Sequence, residues 1–271
     1  MRPEIDLSAY ASRIGHLQDL RPDLATVQAI VRAHVAAIAF ENLDPLMGKP
    51  VDLDPLAIED KLVHRGRGGY CFEHNRLLAE VLRAMGLAVT PLIARVLWNR
   101  PDDTPAPQTH MALLVTVEDE RWLVDVGFGG LTLSSVLRFQ PGLEQLTPHE
   151  PYRLLQHQGE WRLQAKVAGQ WQALYRFTLQ PCEDIDFVVA NHYVCTHPDS
   201  PFTRELRVAR TVPEQRLTLR NREFAVHHRD GHTERYTLGS AREIRSVLER
   251  HFMLVLPAHP ALDRRFAALS A

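Results

Sequence analysis

The amino-acid sequence predicts an α+β fold, and three changes of pattern along the chain predict it. Apolar residues recur every three or four positions up to about residue 86, the period drops to two from Leu87, and a capped helix returns near Ser240. In order, the stretch after Asp23 sets Leu24, Val27, Ile30, Val31 and Val35 at helical spacing, giving one buried stripe. A turn-rich passage, MGKPVDLDP, leads to a short helix over Leu56–Val63. A longer helix follows the glycines of HRGRGGYCFEHN, with Leu77, Leu78, Val81, Leu82 and Met85 as its apolar face and Gly86 as its stop. Strands are expected over Ala88–Trp98, His110–Val117, Arg121–Val126, Tyr152–His157, Glu160–Val167 and Trp171–Gln180, as an antiparallel sheet or barrel. The first two are joined by a Pro-rich loop, NRPDDTPAPQT, whose length suggests a functional edge. Residues 183–194 return to helix, three strands fill about 204–238, and Ser240 with Glu243 forms a capping box for the last strong helix.

Composition narrows the function classes. The 271 residues carry a net charge of −2, with 45% hydrophobic and 24% charged residues, an ordinary globular balance. Nucleic acids and anionic membranes select basic faces, so neither is expected as the main partner. The longest apolar run, Val35–Phe40, is far short of the roughly 20 residues of a membrane span, and MRPEIDLSAY lacks the apolar core of a secretory leader. Three cysteines, Cys71, Cys182 and Cys195, cannot build a disulfide framework and imply a reducing, cytoplasmic setting.

Cys71 stands at a helix start. Gly68 and Gly69 would let the backbone turn tightly and leave space beside the sulfur, and the helix dipole favours a thiolate. The segment alone fits equally a small buried hydrophobe. A thiolate nucleophile needs an imidazole base and an orienting carboxylate. If the loop after Val117 holds two residues, Glu118 and Asp119, then Val117 pairs with Glu120 and Ala112 faces Asp125. His110 and Asp125 then become diagonal neighbours on one face; a three-residue loop would put them on opposite faces. Asp125 interrupts an otherwise apolar run, so it must either face water or be paired.

Together, Arg67-Gly-Gly-Tyr-Cys71-Phe-Glu-His-Asn75, the strand from Thr109-His110 and Val124-Asp125-Val-Gly-Phe128-Gly resemble the arylamine N-acetyltransferases. Phe40-Glu-Asn-Leu43 and Asn191-His-Tyr with Thr196-His-Pro-Asp-Ser-Pro-Phe202 extend the resemblance in order and spacing. It implies a helical bundle over residues 1–86, a β-barrel with an interdomain helix over 87–200 and an α/β lid over 201–271, around a papain-like core. It further implies a catalytic triad of Cys71, His110 and Asp125. The reaction would be ping-pong: acetyl-CoA acetylates Cys71, and an arylamine or arylhydrazine takes the acetyl group. Phe40, Val96, Phe128 and Phe202 match the apolar amine pocket, Thr109, Gly129 and Gly130 match the edge of the CoA cleft, and Arg67 with Glu41 matches a structural ion pair. No metal is implied, because His64, Cys71 and His74 fit no common zinc spacing. The chain departs from the family at Ala39, where proline is usual, and His74 occupies a variable position. The same triad would also serve an amide synthase that closes macrolactams, or a thiol hydrolase; a binding module with a structural Cys71 is the non-catalytic alternative.

Overall fold

The computed structural model describes residues 5–101 and 105–270, so residues 102–104 of the Pro-rich loop and the first four residues lie outside the described part. The helical third comprises α1 (Leu7–Ile14), α2 (Leu24–Ala37), a two-residue strand β1 (Phe40–Glu41), α3 (Leu43–Leu46), α4 (Pro55–Glu59) and α5 (Cys71–Ala84). The helix expected over Leu56–Val63 is α4 running on into a π-helical turn, Asp60–His64, with Asp54 as its N-cap. The α2 stripe is buried as expected, and Asp23 caps it through Thr26 N at 2.8 Å. At the end of α5, Leu87 N donates to Leu82 O at 3.0 Å around a left-handed Gly86 (φ 90°), the closure that glycine favours.

Eight strands follow from β2 to β9: Ala88–Val96, Gln108–Val117, Glu120–Val124, Leu137–Arg138, Glu144–Gln145, Tyr152–His157, Glu160–Val167 and Gln170–Phe177. Their order, β5-β4-β3-β2-β9-β8-β7-β6, is a nearly closed antiparallel barrel, so the sheet-or-barrel alternative resolves to barrel. Its two ends meet through a side chain: the Gln145 amide donates to Arg138 O at 3.0 Å and accepts from Arg138 N at 2.7 Å. Strand β3 divides two cores by simple alternation. Ala112 and Leu114 join the barrel interior, while Met111, Leu113, Val115 and Val117 join the helical core.

Next come α6 (Asp184–Thr196) and four strands, β10 (Arg207–Val212), β11 (Gln215–Arg220), β12 (Glu223–His228) and β13 (Thr233–Thr237), one more than the sequence suggests. β13 is the polar sequence TERYT with no buried residue, so it has no apolar alternation to read. These strands form a second sheet, β1-β10-β11-β12-β13, into which the bundle contributes β1. Helices α7 (Ala241–Arg250) and α8 (Pro260–Ser270) pack on it. Ser240 caps α7 as expected, but Glu243 bonds Gly239 N, one residue before the position a capping box uses. α8 is not evident in sequence, since among its apolar residues only Leu262 and Phe266, one turn apart, are fully buried. No helix among the described residues is long and apolar enough to cross a membrane.

Candidate active site

Cys71 is the first residue of α5, and its thiol donates to Thr109 O at 3.5 Å. The approach to it is held by charge. Arg67 donates through Nε and Nη2 to Glu41 Oε1 at 2.9 and 2.7 Å, as expected, but the cluster is larger. Lys61 Nζ bridges Asp44 at 2.5 Å and Glu73 at 2.6 Å, and Glu73 in turn accepts from Tyr70 N at 3.0 Å, just before the cysteine. Burial works against the Lys61 charge, and the carboxylates of Glu73, Glu41 and Asp44 outweigh it and hold the ammonium protonated. Asp44 and Lys61 carry no motif in sequence, and only folding brings them to Arg67.

The glycines act differently from the expectation. A Cβ on Gly68 would lie 2.0 Å from Ala39 O, and one on Gly69 would lie 2.6 Å from a Glu73 carboxylate oxygen. They permit this segment to run against residues 39–41, where Glu41 N donates to Gly69 O at 2.7 Å. The space beside Cys71 comes from Gly127 instead, whose added Cβ would sit 2.7 Å from Cys71 Cα.

The loop after Val117 does hold two residues. Glu118 (φ 51°) and Asp119 (φ 63°) form a left-handed hairpin turn, and Val117 pairs with Glu120 through to Leu113 with Val124. One more step in that register puts Asp125 across from Ala112, and His110 Nε2 meets Asp125 Oδ2 at 2.7 Å. Both side chains are buried, which removes the solvent-facing reading of Asp125. Burial lowers the His110 pKa, but the Asp125 charge and hydrogen bond, with Cys71 adding to them, raise it to about 10. Asp125 is desolvated too, yet His110, Asn75 and the Gly127 N–H hold its carboxyl below the usual range. With Nε2 engaged by Asp125, Nδ1 is the ring nitrogen left for the Cys71 interaction that adds to the His110 shift.

Asn75 is the organising residue that sequence reasoning missed. Its Nδ2 donates to Asp125 Oδ1 at 3.0 Å and to Met111 O at 2.7 Å, while its Oδ1 accepts from Val126 N at 3.1 Å. The available signal was spacing: Asn75 lies one helical turn after Cys71, on the same face.

The expected pocket residues divide into two aromatic groups. Phe128 stands edge-on to the His110 ring at 5.3 Å, and Tyr175, unforeseen, packs on that ring at 4.7 Å with Val96 opposite it across the strands. Phe40 and Phe202 meet edge-on at 6.0 Å, and Phe202 also touches Tyr70. Gly129 is left-handed at φ 90°, and a Cβ on it would lie 3.6 Å from the Phe40 ring; one on Gly130 would lie 3.3 Å from Thr218 on β11. Phe40, Val96, Thr109, Phe128 and Phe202 are all half-buried, with Phe40 and Phe202 packed at the edge of the helical core and Phe128 at the edge of the barrel core.

His74 has a different job from metal binding. Its Nδ1 accepts from His34 Nε2 at 2.8 Å, Tyr10 donates to His34 Nδ1 at 2.9 Å, and His74 Nε2 donates to Ala39 O at 3.2 Å. Among the described residues no group of three or more His, Cys, Asp or Glu could hold a metal ion. Cys195 is buried and bonds His192 O, and Cys182 is half-buried against Gln180 O.

Comparison with known proteins identifies the family. A family model described as N-acetyltransferase matches residues 23–261. An arylamine N-acetyltransferase of Mycolicibacterium smegmatis is 50% identical over 92% of this chain and 91% of its own length. One from Mycobacterium tuberculosis is 46% identical over 92% and 89%. The structure of Mycobacterium marinum arylamine N-acetyltransferase in complex with CoA superimposes with a TM-score of 0.94 at 41% identity, covering 98% of this chain and all of that one. Identity at this level over nearly the whole length reflects common descent, and the chain belongs to the arylamine N-acetyltransferase family.

Proposed function

We propose that the chain transfers an acetyl group from acetyl-CoA to arylamines and arylhydrazines by a ping-pong route through acetyl-Cys71, with His110 and Asp125 completing the triad. The 2.7 Å bond from a buried His110 to a buried Asp125, beside a cysteine at a helix start, carries this reading. The acyltransferase names of the relatives and the CoA bound by the M. marinum protein support it. In the first half-reaction the Cys71 thiolate attacks the thioester carbonyl, the C–S bond to CoA breaks, and His110 gives its proton to the departing CoA thiolate. In the second, the amine nitrogen attacks the acetyl-cysteine, His110 takes the nitrogen's proton, and the Cys71 thiolate leaves. The Cys71 N–H, one of the first-turn donors that helix bonding leaves over, serves the oxyanion.

Arylamines are largely neutral at pH 7, which suits a pocket of Phe40, Val96, Phe128 and Phe202 that offers no counter-charge. CoA would run past Thr109, Gly129 and Gly130. We assign the nucleophile to a segment of residues 1–86, the base and its carboxylate to 87–200 and a covering unit to 201–271, in a reducing, cytoplasmic setting consistent with three unpaired thiols. Initial rates with acetyl-CoA against aminobenzoates, anisidine and isoniazid should give parallel double-reciprocal lines, and mass spectrometry without amine should find an acetyl group on Cys71. Intersecting lines would remove the ping-pong scheme, and inactivity across the panel would favour the amide-synthase alternative.

A further inference from the structure

A cavity of about 320 Å³ opens on the face of β3 that carries Met111 rather than His110. None of the expected site residues lines it. Its floor is apolar and buried, formed by Phe72, Met111 and Phe187, with the two phenyl rings edge-on at 6.3 Å. Its rim is acidic: Asp52, Asp54 and Asp184 share the mouth with a single cation, Arg76, which is already engaged by both carboxylate oxygens of Asp184 at 2.5 and 2.9 Å, while Asp52 and Asp54 each keep a carboxylate oxygen on backbone N–H groups of their own segment. Three carboxylates against one guanidinium leave the mouth net negative above aromatic faces. A compact ligand of this size is favoured if it carries positive charge on an apolar body, since the ring faces attract cations as well as hydrocarbon. An anion or a neutral acceptor finds one donor here, the buried Arg76 Nε–H that has no hydrogen-bond partner and lies 3.6 Å from Glu80, and an anion meets the rim carboxylates as well.

We propose that this cavity is a second ligand site, for a small hydrophobic ammonium cation. Its walls are chain neighbours of the catalytic groups. Phe72 follows Cys71, Arg76 follows Asn75, and Met111 follows His110 while its carbonyl accepts from Asn75. Asn191, on the cavity wall, accepts from Tyr70 and donates to Val51 O at 2.9 Å. Alternation along β3 turns His110 to the barrel and Met111 to the cavity, so the two sites stand back to back. Occupancy therefore alters acetyl transfer without competing with the amine, an effect that rests on the function proposed above, whereas binding itself does not.

Benzyltrimethylammonium, which has no N–H to acetylate, is the probe. Titrated into the full chain labelled with methyl-13C methionine, it should shift the Met111 resonance saturably. Val188→Trp, a larger side chain on the half-exposed mouth, should abolish that shift, and Asp52→Asn should weaken it roughly threefold. Neopentylbenzene, the neutral isostere, should bind more weakly. The site is overturned if Met111 does not respond saturably or if Val188→Trp leaves the response unchanged, and its charge preference is overturned if the isostere binds equally well. With the site occupied, kcat should change while the amine KM does not. An inactive enzyme whose Met111 still titrates would count against the proposed function and leave the cavity site standing.

Discussion

At the scale of single residues, the site is a hydrogen-bond account that closes. Asn75 satisfies three partners at once, so Asn75→Leu would take a donor from the Met111 carbonyl, leave the Val126 N–H without its acceptor, and leave Asp125 Oδ1 with only the Gly127 N–H at 2.9 Å. Each orphaned group costs about 1–3 kcal/mol. A lower urea midpoint with a fall in kcat larger than any change in KM is expected, because Asp125 loses one of its anchors, keeping Gly127 and His110, while the pocket loses none. Asp125→Asn removes the charge that holds the His110 pKa at about 10, so the basic limb of the pH–rate profile should move to lower pH. Activity should fall on the order of 10⁴-fold, the cost of a wrongly held tautomer in hydroxyl triads. Cys71→Ala should abolish transfer, and retained turnover would remove the nucleophile assignment.

At the scale of elements, legibility followed periodicity. Strands with apolar alternation and helices with a continuous stripe could be read from sequence, and the two-residue turn at Glu118 and Asp119 decided which faces His110 and Asp125 share. Elements with little buried surface, β13 and α8, left no pattern to read. The helix start at Cys71 and the His110–Asp125 contact were legible because these residues sit in motifs or interrupt apolar runs. Asp44, Lys61 and Tyr175 were not, because their roles arise from contacts between segments far apart in the chain. Gly127 shows the same limit, since its need for a missing Cβ depends on α5 crossing the loop after β4. Gly127→Ala should therefore destabilise by about 1–3 kcal/mol, the range for overpacking, and should slow Cys71 acetylation more than an alanine at Gly142, where a Cβ meets nothing within 4 Å. Thermal melts and single-turnover acetylation would compare them, allowing for the positive φ of Gly142.

At the scale of the whole molecule, three cores are joined by a few buried polar links. Arg216, buried on β11, binds Glu150 and the Tyr152 hydroxyl of the barrel, and His149 reaches Val212 O on β10. Removing Arg216 alone leaves Glu150 uncompensated, and Arg216→Met should cost about 3–5 kcal/mol in chemical denaturation. Protons act on the same scale in two windows. His110 binds its proton more tightly folded than unfolded, so its contribution is complete below pH 6.5 and is lost as pH rises toward about 10. Burial lowers the His74 pKa to about 4, so the unfolded chain takes up a proton that the folded one refuses as pH falls from 6.5. That loss amounts to about 3 kcal/mol. His74→Gln, whose amide offers one acceptor and one donor without titrating, should shrink the acid window in urea denaturation to the part that buried His34 contributes and leave the alkaline one intact.

The barrel seam has a consequence for how copies of this chain meet in a crowded cell. Its end strands, β5 and β6, are two residues long, and the Gln145 amide occupies the Arg138 N–H and C=O that a longer strand would present outward. A free sheet margin is a template for a second chain to extend, and proteins blunt such margins by shortening or covering them. Here one glutamine does both, so the closure that is weakest in hydrogen bonds also denies an incoming strand its first rung, guarding the fold against runaway self-assembly.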